Sequence, residues 1–141
     1  MRIHVSIELP ASPAEVWSYL RDIASHTQWM HDATSITFTS TRTEGEGTTF
    51  ECLTTIGPFR TTDRMEITSW RPAEEMGVRH SGLITGEGRF TLSPIGSPAG
   101  SETEFAWSEK LRLPWFFGSK FGEVLASPLL RWVWRRNLRA L

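Results

Sequence analysis

From Arg2 to Leu9 apolar and polar residues alternate: Ile3, Val5, Ile7 and Leu9 against Arg2, His4, Ser6 and Glu8. Period two predicts a half-buried strand. The period then lengthens. In "PASPAEVWSYLRDI", Val16, Trp17, Leu20 and Ile23 recur at helical steps. Ser12 is a good N-cap, Pro13 suits the first helical position and Glu15 completes a capping-box signature. A second short helix or turn is predicted over Ser25 to Met30. From Ala33 the alternation returns. "TSITFTSTRT", "TTFECLTTI", "RTTDRMEITSW", "EMGVRHSG", "ITGEGRFTLSPI" and "ETEFAWSEKLRL" read as six strands. Turn signals separate them: "EGEG", Gly57-Pro58, Arg71-Pro72 and the loop "GSPAGS". Such close spacing predicts an antiparallel meander. Pro114 stops the last strand, and residues 115–141 read as one long helix. Phe117, Phe121, Val124, Leu125, Pro128 and Trp132 share a broad face of it, and Pro128 is expected to kink it.

The order of elements predicts one α+β domain over residues 1–141. A curved antiparallel sheet of about six to seven strands would wrap around the long C-terminal helix, with two short helices after the first strand. That architecture is a helix-grip. The alternation also assigns faces. Met65 and Ile67 point inward, and Thr61 and Asp63 share their parity. Met76, Val78 and His80 point in, as do Phe90 and Leu92 with Gly86 and Gly88. Phe105, Trp107, Leu111 and Leu113 share parity with Glu109, and Phe50, Cys52 and Ile56 form a further inward set. Arg60, Arg64, Glu66, Arg79, Glu87 and Arg89 point out. Three ionisable residues therefore face inward: Asp63, His80 and Glu109. A buried carboxylate costs several kcal/mol unless it is paired or protonated, so these three must find partners or line a wet cavity. His80 could bridge a carboxylate on a neighbouring strand. Gly86 and Gly88 are read as a bend in the sheet, or alternatively as room for a ligand.

Composition narrows the function. The chain has 141 residues, seven tryptophans and eight phenylalanines against one tyrosine, which is much aromatic surface to bury or to offer a ligand. A net charge of −1 provides no field for nucleic acid. The single cysteine, Cys52, excludes an internal disulfide and a cysteine-rich zinc site. No apolar run approaches the roughly 20 residues of a membrane span, and the N-terminus lacks an apolar signal core. A cytoplasmic protein, monomer or homodimer, is expected. A phosphate-binding glycine loop, a Gly-x-Ser-x-Gly elbow and a His-Glu-x-x-His motif are all missing, and no cofactor or metal is expected.

"SIELPASPAEVWSYLRDIASHTQW" resembles the opening of the START-like, or SRPBCC, superfamily, whose members include polyketide cyclase/dehydrase-like and Bet v 1-like helix-grip proteins. "GEGTTFE", "ITSWRPAEEM" and "GEGRFTLSPIG" are similar to its glycine-threonine turn, strand-end proline and late hairpin. The resemblance spans nearly the whole chain. It implies an apolar cavity between sheet and C-terminal helix. It also implies one of several roles: aromatase/cyclase, lipid or hormone carrier, quinone-binding protein or co-chaperone-like domain.

Three functions are open. The first is a non-catalytic carrier or sensor of a hydrophobic small molecule: a lipid, a polyketide or another aromatic or isoprenoid compound. Its candidate contacts are Trp17, Trp29, Phe50, Met65, Met76, Val78, His80, Gly88, Phe90, Phe105, Trp107, Glu109, Phe117, Phe121 and Leu125. The second is an aromatase/cyclase-type enzyme, with His80 as acid or base and Glu109 or Asp63 orienting it. The resemblance would lead one to expect an arginine or tyrosine in a cyclase cavity. By parity the strand arginines point out, and Tyr19 lies on the first helix. The third is a module that docks on a partner or membrane surface through Arg131, Arg135, Arg136 and Arg139. "SHTQWMHDA" looks like a metal cluster, but five residues separate His26 from His31, about 140° apart on an α-helix, and helical ligand pairs need three or four. Trp29 is read as the fold's signature residue near the cavity mouth, and His26 and His31 as its surface neighbours.

Overall fold

The computed structural model describes residues 2–30, 33–56, 58–82 and 84–112. Strand β1 (Arg2–Leu9) leads into helix α1 (Pro13–Leu20) and a 3₁₀ helix (Ile23–Gln28). Six strands follow: β2 (Ala33–Phe38), β3 (Thr49–Ile56), β4 (Phe59–Arg71), β5 (Glu75–Ser81), β6 (Thr85–Ile95) and β7 (Glu102–Arg112). The helix predicted over 115–141 lies outside the described residues. So do Leu113, Phe117, Phe121, Leu125 and the terminal arginines, together with His31 and Asp32.

All seven strands join one antiparallel, curved sheet in the order β1-β7-β6-β5-β4-β3-β2. The meander is as predicted, and β1 adds to its last strand with Val5 opposite Trp107. This places β1 and β2 at opposite edges, so the chain between them must cross the sheet. It crosses as helix: α1 contacts β6 and β7, and the 3₁₀ helix packs on β2. The crossing covers one face and makes it the inner one.

Local chemistry sets the helix ends. The Glu15 backbone N–H donates to Ser12 Oγ at 3.3 Å, and Pro13 opens the helix. Asp22 leaves helical geometry at φ −82° and ψ 89°. Ile23 therefore begins the 3₁₀ helix instead of continuing α1, yet it is buried with Val16, Trp17 and Leu20. The second helix is thus a 3₁₀ helix that starts two residues before the expected Ser25. Strand β2 stops at Phe38, short of the predicted Thr43. There Ser40 Oγ donates to the Arg42 carbonyl at 2.6 Å and accepts from Thr49 N–H at 3.0 Å. Side chain-to-backbone bonds of this kind compete with the ladder.

The core sits between the helices and the sheet. Phe105 is fully buried and Trp29 is 1% exposed. Trp29 lies 5.7 Å from Phe90, 5.9 Å from Trp107 and 6.3 Å from Phe105, measured between ring centroids. Tilted and edge-on rings at these distances add to plain burial. Trp29 Nε1 has no acceptor among the described residues.

Candidate functional site

Beside this aromatic cluster the inner face encloses a cavity of about 120 Å³. Every described strand except β1 contributes to it, and Ile23, His26 and Met30 close it from the helical layer. Of the residues expected to face a ligand, Phe50, Met65, Met76, Val78, His80, Phe90, Trp107 and Glu109 line it, as does Asp63. Four expected contacts lie elsewhere. Trp17 packs edge-on against Trp70, with ring centroids 5.1 Å apart. Phe105 and Trp29 are sealed in the core. Trp29 is therefore a central packing residue and not one at a cavity mouth. Gly88 lies beneath the Glu109 side chain.

His80 and Glu109 meet. His80 Nε2 donates to Glu109 Oε2 at 3.0 Å, and Trp107 Nε1 donates to Glu109 Oε1 at 3.0 Å. Both carboxylate oxygens are thus engaged, which is what a carboxylate only 6% exposed requires. The two residues are not on neighbouring strands: His80 is on β5, Glu109 on β7, and β6 runs between. His80 stands opposite Gly86 and Glu109 opposite Gly88 in the ladders. The bridge crosses β6 because β6 offers no side chains there. A Cβ on Gly88 would fall on the Glu109 carboxylate. Gly86 has φ +141°, and a Cβ there would strike the Lys110 carbonyl oxygen. The sequence reading of bend or ligand room thus misses what Gly88 does: its missing side chain is the seat of Glu109.

The electrostatics follow from the geometry. Burial alone would lower the His80 pKa. The hydrogen bond to Glu109 and the negative charges of Glu109 and Asp63 outweigh it and raise the pKa above its ordinary value. Asp63 is buried and accepts from Thr54 Oγ1 at 3.4 Å. The result is a polar spot in an apolar cavity, with His80 inclined to carry charge and a carboxylate fixing its ring.

His26 corrects the sequence reading. It is 5% exposed rather than on the surface, and Nε2 donates to the Leu20 carbonyl at 2.8 Å. That carbonyl is one of those left without an intrahelical donor at the end of α1. Burial is the largest influence on its ring and, against the Leu20 bond and the charge of Asp22, lowers the pKa to about 4. The missed signal is spacing. Ile23, His26 and Trp29 recur every three residues, which is one face of a 3₁₀ helix and is hidden when α-helical spacing is applied. Met30, Ile36, Thr54 and Ile84 also line the cavity unforeseen.

The family model described as "Polyketide cyclase / dehydrase and lipid transport" matches residues 1–141. The chain belongs to this polyketide cyclase/dehydrase and lipid transport family. No curated sequence matches it. Its fold is similar to that of TTHA0849 from Thermus thermophilus, at 17% identity and a TM-score of 0.82, covering 99% of this chain and 93% of that one. It is similar to truncated norcoclaurine synthase from Thalictrum flavum, at 15% identity and a TM-score of 0.72, covering 99% and 89%. It is also similar to the Zhui aromatase/cyclase from Streptomyces sp. R1128, at 15% identity and a TM-score of 0.67, covering 99% and 87%. At these identities the likeness is one of fold. Among the described residues of this family member, no helix is long and apolar enough to cross a membrane. Likewise, no group of three or more His, Cys, Asp or Glu is placed to hold a metal.

Proposed function

We propose that the protein is a non-catalytic carrier or sensor of a hydrophobic small molecule, held between the inner face of the sheet and the C-terminal helix in a helix-grip. The observation that carries this reading is the cavity itself: apolar walls around one buried, satisfied His80–Glu109 pair. Few polar groups placed in an apolar concavity are the usual composition of a small-molecule site. Native mass spectrometry of freshly purified protein tests it, followed by thermal shift across a library of lipids and aromatic compounds. A retained apolar molecule, or a rise in melting temperature with part of the library, supports the reading. A clean spectrum and no shift with any compound would remove it.

A second reading is favoured by one observation. His80 is oriented by a carboxylate at 3.0 Å, the arrangement a general acid–base catalyst requires. In this reading His80 moves protons during aldol closure or dehydration of a poly-β-keto chain, with Glu109 orienting it and Asp63 adding negative charge. Weighing against it, Arg60, Arg64, Arg79 and Arg89 are exposed, as is Tyr19. Of these only Arg89 borders the cavity among the described residues, and its guanidinium is turned to Glu75 at 3.5 Å. Incubation with poly-β-keto thioesters decides: turnover that disappears in His80→Ala selects the enzyme, and unchanged turnover in that variant rejects this mechanism.

A further inference from the structure

The cavity has a second polar point that the His80–Glu109 pair does not explain. His26 reaches it from the 3₁₀ helix. A carbonyl oxygen only accepts, so the 2.8 Å contact with Leu20 fixes the proton on Nε2. The neutral ring then has one nitrogen left, Nδ1, and that nitrogen carries a lone pair. Nδ1 has no hydrogen-bond partner among the described residues. The ring is held in place as well as in tautomer. Its centroid lies 5.6 Å from that of Trp29 and 5.8 Å from that of Phe90. Burial of the residue keeps this ring from protonating near neutral pH.

We propose that His26 Nδ1 is a fixed acceptor for a ligand hydroxyl, so that the cavity selects apolar molecules that carry an alcohol, phenol or enol. This rests on the reading of the cavity as a small-molecule site and names the chemistry it prefers. The helical layer then supplies an acceptor and the sheet supplies the His80–Glu109 pair. Two polar points on different elements orient a ligand, where apolar walls alone would let it turn.

The test is calorimetric titration at pH 7 with two probes that differ in one donor, 2-naphthol and 2-methoxynaphthalene. A hydrogen bond worth about 1 kcal/mol corresponds to roughly a fivefold preference for 2-naphthol in the wild type. His26→Phe removes the ring acceptor and should bring the ratio of the two affinities close to one. His26→Leu is the second variant, equally without an acceptor, with circular dichroism confirming the fold of both. Equal affinity of the wild type for the two probes overturns the assignment of His26 alone. So does a preference that survives in a folded variant. No binding of either probe removes the small-molecule reading, and this assignment with it.

Discussion

Gly88 has a defined role only because of the residue opposite it. Glu109 must lay its carboxylate across β6 to reach His80, and the space it uses is where a Cβ would be. Gly88→Ala should therefore displace the carboxylate and break a buried pair, at a cost of about 2–3 kcal/mol in urea denaturation. The specific readout is the His80 ring. Without Glu109 in place, the pKa of His80 should fall toward or below its ordinary value, because burial then acts with less opposition. Glu109→Gln should move the ring the same way without crowding. An NMR titration of His80 that is unchanged in both variants would disprove this account. The pair itself was legible from strand parity, since His80, Glu109 and Asp63 share inward faces with apolar neighbours. What parity omits is reach. It shows which face a side chain takes but not that two glycines let side chains from β5 and β7 meet over β6. For His26 the burial was marked only by the three-residue spacing of Ile23, His26 and Trp29, which α-helical spacing hides, and its partner was not marked at all, because no residue pattern marks a backbone carbonyl.

At the scale of elements, one extra residue decides a large packing contact. Ile67 pairs with Val78 and Ser69 with Gly77, so Thr68 is a bulge. Strict alternation from Met65 and Ile67 would turn Trp70 outward with Glu66. The bulge turns it inward, where its ring meets Trp17 at 5.1 Å. Gly77 accommodates the bulge: a Cβ there would lie 3.0 Å from Ser69 Cβ and 3.2 Å from Thr68 Oγ1. Trp70→Ala should cost about 2 kcal/mol, less than a fully buried tryptophan, since the ring is only half-buried. Deleting Thr68 should cost at least as much, because it restores the outward parity and loses the same contact. A neutral deletion in chemical denaturation would show that the bulge does not hold Trp70. At the start of α1, Ser12→Ala should cost about 1 kcal/mol by the same measurement. The strand order and the Ser12 cap were readable because they depend on neighbours in sequence. The bulge was not, because a single inserted residue leaves no mark on an alternating pattern that contains several threonines and serines.

For the molecule as a whole, the two cavity histidines pull the pH dependence of stability in opposite directions. His26 has a folded pKa of about 4 against about 6.5 unfolded. Between those values the unfolded chain binds more protons, so stability falls as pH drops from about 6.5 to about 4, by an amount on the order of 3 kcal/mol. His80 has a folded pKa above its unfolded one. Its contribution is fully present below about pH 6.5 and is lost as pH rises through the folded value. Glu75 is held below its ordinary value mainly by the Ser69 hydroxyl, with Arg71 and Arg89 adding to it against partial burial. Its contribution is lost as pH falls below the ordinary carboxylate value, at the acid end of the His26 window. The two histidines alone therefore predict a maximum near pH 6.5 with a falling arm on each side. Urea midpoints from pH 4.5 to 9 measure both arms. His26→Gln should flatten the acid arm and spare the alkaline one, and Glu109→Gln should do the reverse. An acid arm that survives in His26→Gln means that the buried neutral ring is not its source. An alkaline arm that survives in Glu109→Gln separates the His80–Glu109 pair from the pH response of the fold.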